Sequence, residues 1–259
     1  MIRAVFPKPW LLTLSLLAPS LLTPRLLMHG LLVGISILWS ITLAAQPNVG
    51  PARLLLTTQD WPPYQEYKEE KMQGLALNKV KCALGKMGQP YQITMTDWAD
   101  AQLRVQNGAY HGFFSASQTE ERNEYAQLSA AISQQKLNWY FGSGVPTTLD
   151  ELSKLNLKFS AKFGSSKWFW LKRNGYNVVK QPRDAKVLLR LLKQREIDVI
   201  LENELVFQRA LTAASLPTDY FKHKQNAIQE MGVYFSHQFL KQYSGFLESF
   251  NAAIAKCEV

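Results

Sequence analysis

Twice along this chain, short apolar runs suited to strands alternate with helical stripes, and that rhythm limits the fold more than any single motif. Arg53–Thr57 reads as a strand. Ala76, Val80, Ala83, Leu84 and Met87 then recur at helical spacing, ended by Gly88-Gln89-Pro90. Tyr91–Met95 is a second strand, Trp98, Ala101 and Val105 mark a second helix, and Gly112–Phe114 is a third strand. The order restarts after a strand at 137–141 and the Gly142-Ser143-Gly144 breaker. Lys158–Phe159, a helix from Lys167 to Arg173, Val178–Val179, a Leu188/Leu189/Leu192 stripe and Ile197–Leu201 follow one another. A strand at Gly232–Ser236 and a helix carrying Tyr243, Phe246, Leu247, Phe250, Ile254 and Cys257 close the chain. Two β-α-β-α-β runs, 53–115 and 157–203, predict an α/β protein of two lobes, each a mostly parallel sheet flanked by helices. Ligands on such sheets bind at the carboxyl ends of the strands. Asp60–Tyr64, Ser115–Arg122, Gly164–Ser166 and Glu202–Asn203 all fall there, so a cleft between the lobes is expected.

With 259 residues, the chain is long enough for one large domain or two lobes. Its formal charge is +9, and Arg3, Lys8 and Arg25 supply three of these charges in an acid-free 1–45, leaving +6 for the rest. A mild basic excess favours anionic ligands or an acidic surface. No Lys/Arg block or basic helix face is present, so nucleic acid is not the expected partner. The cysteines are two, and no Cys or His falls at metal-ligand spacing, so neither metal nor cofactor is expected.

Residues 1–45 read as a leader. No acid precedes Asp60, two apolar runs flank Pro19 and Pro24, and Thr42-Leu43-Ala44-Ala45 resembles a secretory cleavage site after Ala44 or Ala45. Met28 is an alternative start, and an uncleaved anchor is the other reading, since about 20 apolar residues can span a bilayer. Either places residues 46–259 outside the cytoplasmic membrane, in the periplasm or tethered to its inner boundary.

Ser115-Ala116-Ser117-Gln118-Thr119-Glu120-Glu121-Arg122 concentrates hydroxyls and a guanidinium after the Phe113-Phe114 strand end. A helix starting near Thr119 would aim free N–H groups the same way, making a seat for a small anion. The plainer reading is a capped helix start, with Ser117 and Glu120 as a capping box or Thr119 as the N-cap.

In order, Trp61-Pro62-Pro63-Tyr64, Gly74 before a helix, Gln106-Asn107-Gly108 before a strand, Thr119-x-x-Arg122 and Gly164-Ser165-Ser166 resemble motifs of the extracytoplasmic solute-binding proteins of the polar amino-acid type, the binding components of ABC importers. The resemblance covers about 52–257. It implies the periplasmic-binding-protein type 2 fold, with lobe 1 formed by 46–142 and 232–259, lobe 2 by 143–231, and crossings near Phe141–Val145 and Gln229–Tyr234. It implies a monomer that binds a small carboxylate-bearing ligand and serves a membrane permease. Arg122 would pair with the carboxylate. Ser115, Ser117 and Thr119 would complete the first-lobe contacts, and Ser165 and Ser166 would donate from the second lobe. Tyr64 would cover the ligand's apolar part, with Trp61 nearby. Three positions depart from the family: among them, Leu75 replaces an aromatic, and Asn203 stands where an aspartate usually meets the ligand ammonium. His111 likewise replaces an aspartate at a strand start. Glu202 should point to the opposite side of the strand end from Asn203. Cys82 lies off the apolar face of its helix, and in this fold the last helix returns to lobe 1, so a Cys82–Cys257 disulfide is expected. The rival functions are an enzyme on the same fold, for which Asp60, Glu202 and Glu204 are the candidate acids and bases, and a ligand-binding sensor or adaptor.

Overall fold

The computed structural model describes residues 49–258, so the leader reading of 1–45 lies outside the described residues. β1 (Leu54–Thr58) sits between β4 (Tyr91–Met95) and β5 (Gly112–Ala116) and is parallel to both. Between them run α1 (Leu75–Lys86) and α2 (Trp98–Gln106). α1 buries Ala76, Leu77, Val80, Ala83 and Leu84, and α2 buries Trp98, Ala101 and Val105, the i, i+3, i+4 sets read from the sequence. In the second half, β8 (Phe159–Ser160) lies parallel to β9 (Val199–Asn203), with α5 (Ser166–Arg173) and α6 (Ala185–Lys193) between them. α6 buries four leucines, Leu188, Leu189, Leu191 and Leu192. At about 1.5–3 kcal/mol for each fully buried leucine, that face alone fixes the helix against its sheet.

The two halves are tied by long antiparallel strands. β10 (Lys222–Ser236) spends Lys222–Met231 beside β7 (Ser133–Phe141), then changes partner. Its last residues, from Gly232, pair with β5 and with β6 (Ala126–Leu128). The change of partner falls between Met231 and Gly232.

The other crossing is corrected. Residues 133–141 were expected in lobe 1, but β7 pairs with β9 and with the early part of β10. Leu137, Trp139 and Phe141 pack with Phe159, Leu171 and Val199 in one apolar cluster. The chain therefore crosses near Ser129–Ser133, before β7, rather than at Phe141–Val145. There it runs beside β10, with the Ser129 and Ile132 amides donating to the Val233 and Met231 carbonyls. Gly232 is pressed between these strands, and a side chain on it would press on Leu128 and Ser129.

Three short strands were not foreseen, β6 and the two strands of a hairpin. β2 (Glu66–Lys68) and β3 (Lys71–Gln73) form a hairpin whose turn residues Glu69 and Glu70 have φ of 51° and 61°. Such turns usually announce themselves with Asn-Gly or Gly, and here the signal is absent. The last helical stretch is divided into α8 (His237–Gln242) and α9 (Phe246–Ile254). α9 returns against α1, and Cys257 is bonded to Cys82 with a Cα–Cα distance of 6.1 Å.

Candidate functional site

β5 delivers the first group of polar residues at its carboxyl end. Ser115 is forced into left-handed backbone (φ 64°) and its hydroxyl donates to Gln65 Oε1 at 2.6 Å. Left-handed backbone at a residue other than glycine is costly and tends to mark sites where geometry is imposed for function. The Ser117 hydroxyl accepts from Gln135 Nε2 at 2.8 Å, so it does not form the capping box considered for it. Thr119 is the N-cap: its hydroxyl accepts from the Arg122 amide at 3.3 Å and starts α3 (Glu120–Asn123).

α3 is a single turn, and its effect is to turn Arg122 inward. Arg122 is 2% exposed. Its Nε donates to Gln102 Oε1 (2.9 Å), Nη1 to the Ser117 carbonyl (2.7 Å) and Nη2 to the Gly164 carbonyl across the cleft (3.2 Å). The guanidinium lies 5.2 Å from the Trp98 ring centroid and 5.9 Å from that of Phe113. Burial pushes its pKa down to about 10, which still leaves it charged at neutral pH. Among the described residues it forms no ion pair.

The second lobe answers with the segment before and into α5. Gly164 takes φ of 69°, which brings its carbonyl to both Arg122 and Trp98 Nε1 (3.0 Å). Ser165 caps α5 by accepting from the Trp168 amide at 3.2 Å, and the Ser166 hydroxyl reaches Gln229 Oε1 at 3.5 Å. Two lysines bracket this turn. Lys167 pairs with Glu202 at 2.8 Å, both almost wholly buried, and its ammonium stands 5.5 Å from the Trp61 ring. Lys162 is 8% exposed, and its ammonium donates to Gln59 Oε1. Desolvation lowers its pKa to about 8, opposed by Glu202, Asp184 and Asp97 and reinforced by Lys167.

These groups enclose a cavity of about 20 Å³, room for one water-sized molecule. Any larger occupant requires the lobes to part. Of the nine residues anticipated for the site, Trp61, Ser115, Ser117, Arg122, Ser165 and Ser166 line it. Tyr64, Thr119 and Asn203 stand one layer behind. Tyr64 stacks on Trp61 at 4.7 Å, and its hydroxyl donates to the Gln134 carbonyl (3.0 Å). Asn203 is fully buried; its Oδ1 caps α7 (Glu204–Ala213) through the Val206 amide at 3.1 Å, and its Nδ2 donates to the Tyr64 hydroxyl at 3.0 Å. Glu202 does face the other way from Asn203, and that way leads to the cavity's lysine rather than away from the site. The remaining wall, Gln59, Trp98, Ala116, Gln135, Lys162 and Lys167, was not anticipated. The two lysines had a signal: they flank Gly164-Ser165-Ser166 at either side. Gln59 and Gln135 had none, because nothing in their neighbourhood says which strand face turns to the cleft.

No family model matches the chain, and no curated protein matches it. Solved structures do. A histidine kinase sensor domain with similarity to periplasmic binding proteins superposes with a TM-score of 0.67 at 14% identity, over 79% of this chain and 89% of that one. The arginine-, lysine-, histidine-binding protein ArtJ of Geobacillus stearothermophilus gives 0.65 at 12% identity, over 79% and 88%. An ancestral arginine-binding protein bound to glutamine gives 0.64 at 17% identity, over 80% and 92%. At such identities the likeness is one of architecture, and in architecture this chain is a two-lobed α/β protein of the periplasmic-binding-protein fold.

Proposed function

We propose that this protein binds a small carboxylate-bearing solute between its lobes, closing on it by a hinge at residues 129–133 and 231–233. The observation that carries this is Arg122: a buried guanidinium with no acid partner among the described residues, held where the two lobes meet, and reaching across the cleft to Gly164. A carboxylate entering there would receive charge-assisted hydrogen bonds from the fork, and from hydroxyls and amides of both lobes. A ligand would then favour closure, because it adds charge-assisted contacts to both walls that the open form lacks. Relatives in fold that bind arginine, lysine, histidine or glutamine support the solute-binding reading. Asn203 is engaged as a helix cap, and Glu202 is engaged with Lys167, so the wall offers no free carboxylate for an α-ammonium. The solute is therefore a carboxylate lacking that group.

Exported across the membrane as a monomer, the protein would deliver this solute to an ABC permease. A second reading is a sensor, favoured by the fold shared with a histidine kinase sensor domain. Residues 26–45 still attached in membranes would favour the sensor; a mature terminus near residue 45 or 46 would favour delivery.

The test is calorimetry on the purified protein, guided by mass spectrometry of small molecules released on denaturation. Arg122→Gln should weaken carboxylate binding by about 2–5 kcal/mol, since it leaves an anion buried without its partner. Unchanged affinity would reduce the Ser115–Arg122 segment to a capped turn.

A further inference from the structure

We infer that the solute is a dianion, such as a dicarboxylate, and that Lys162 binds its second anionic group. This rests on the reading that the cavity holds a carboxylate at Arg122. The charges around the cavity carry it further. Three cations line the wall, Arg122, Lys162 and Lys167. Lys167 has its counter-ion in Glu202 at 2.8 Å. Among the described residues, Arg122 and Lys162 have none.

Two uncompensated cations, both more than nine-tenths buried, face one small space from opposite lobes. A buried charge without a partner is expensive, and hydrogen bonds to amides and carbonyls replace only part of its lost hydration. The Gln59 amide oxygen that Lys162 now holds is such a partial substitute. A zwitterion would bring no net charge and would set its ammonium against the lysines. A monoanion would neutralise one cation and leave the other. A dianion neutralises both, one on each lobe, and so gives the closed form an ionic tie that the open form lacks. Trp61 and Trp98 in the same wall offer apolar faces to a short carbon spacer.

The titration behaviour of Lys162 supplies an independent readout. Burial holds its pKa near 8, with Lys167 lowering it and Glu202, Asp184 and Asp97 raising it. An anion placed against it raises that pKa again. Binding of a dianion at pH 8 should therefore draw protons from solution, seen as a dependence of the calorimetric enthalpy on the buffer's ionisation heat.

The experiment titrates the protein, Lys162→Met and Arg122→Gln with malonate, succinate, glutarate, butyrate and alanine. At least one dianion should bind tenfold or more tightly than butyrate and alanine. Lys162→Met should erase that preference by weakening the dianion at least tenfold while sparing butyrate, and proton uptake should vanish with it. Butyrate or alanine binding as tightly as every dianion, no dianion binding at all, or a preference that survives Lys162→Met would each overturn the proposal. Should Lys162→Met fail to fold, proton uptake by the unmodified protein decides: none at pH 8 with a bound dianion overturns it. Arg122→Gln separates the two claims. Loss of butyrate together with the dianions bears on the carboxylate anchor, whereas loss of the dianion preference in Lys162→Met bears on the second charge.

Discussion

Lys162 shows what burial does to a single charge. Its ammonium has lost nearly all its water and gained an amide oxygen, so its pKa falls from the ordinary 10.5 to about 8. Between those values the unfolded chain holds a proton that the folded one has released. Stability of the ligand-free protein must therefore rise with pH across about 8 to 10.5, while below about 8 both states are protonated and the full penalty remains. One unit of pKa corresponds to about 1.4 kcal/mol, which puts that penalty at about 3 kcal/mol. Lys162→Met should accordingly stabilise the ligand-free protein at pH 7 by about 1–3 kcal/mol, the lower end allowing for a Gln59 left without its donor. Urea unfolding at pH 7, 8, 9 and 10 checks this: the gap between the two proteins should narrow as pH rises, and parallel curves would contradict it. Arg122 differs, because its pKa falls only to about 10, and its donors go to fixed oxygens and its face to aromatic rings.

At the scale of elements, the starts of three helices build the site. Thr119, Ser165 and Asn203 each cap a helix with their own side chain, and each cap sets the direction of a neighbour. Thr119 turns Arg122 inward, Ser165 presents Ser166 and Lys167, and Asn203 joins α7 to Tyr64 behind Trp61. Asn203→Ala should cost about 1–3 kcal/mol, from the lost cap and from a Tyr64–Gln135 pair left short of a donor. Chemical denaturation measures this. Asn203→Asp should keep the cap, because aspartate caps as well as asparagine, and should not improve binding of a standard amino acid, since this side chain stands behind the wall. A gain of tenfold or more in alanine affinity on calorimetry would show that residue 203 reaches the ligand after all. The hairpin β2–β3 and the assignment of β7 belong to this scale too. Both escaped the sequence because strand partners are chosen by packing across the sheet: Leu137, Trp139 and Phe141 would suit either lobe, and only the presence of Phe159 and Leu171 opposite them decides.

At the scale of the whole molecule, the chain leaves lobe 1, builds lobe 2 and comes back through β10, α8 and α9. The return is locked by the Cys82–Cys257 bond, which spans 175 residues. Cys82→Ser with Cys257→Ser should lower stability by about 2–4 kcal/mol, seen as an earlier urea midpoint, with binding largely kept because the bond lies away from the cleft. A midpoint equal to that of the oxidised protein would mean that α9 packs on α1 well enough without it. Ion pairs also cross the cleft at its rim: Arg173 with Glu121 at 2.9 Å, Arg183 with Asp97 at 3.3 Å and Arg209 with Glu66 at 3.4 Å. Each is solvated and worth at most about 1 kcal/mol, so they leave the lobes free to part.

By itself the sequence determined the local elements of this protein, their α/β alternation, the strand ends where polar residues gather, and the disulfide once the fold was inferred. These follow from periodicity, capping and chain order, which act over a few residues. Only the tertiary structure decided which polar residues meet. Arg122 and Lys162 are 40 positions apart, and Lys167 finds Glu202 from another helix and strand; no local pattern encodes such a meeting. It also decided that Tyr64 and Asn203 support the wall while Gln59 and Gln135 form it. The reason is steric and electrostatic at once: the cavity is the small volume left when two packed lobes close, and the charges left in it without partners are those that no neighbour in sequence could supply.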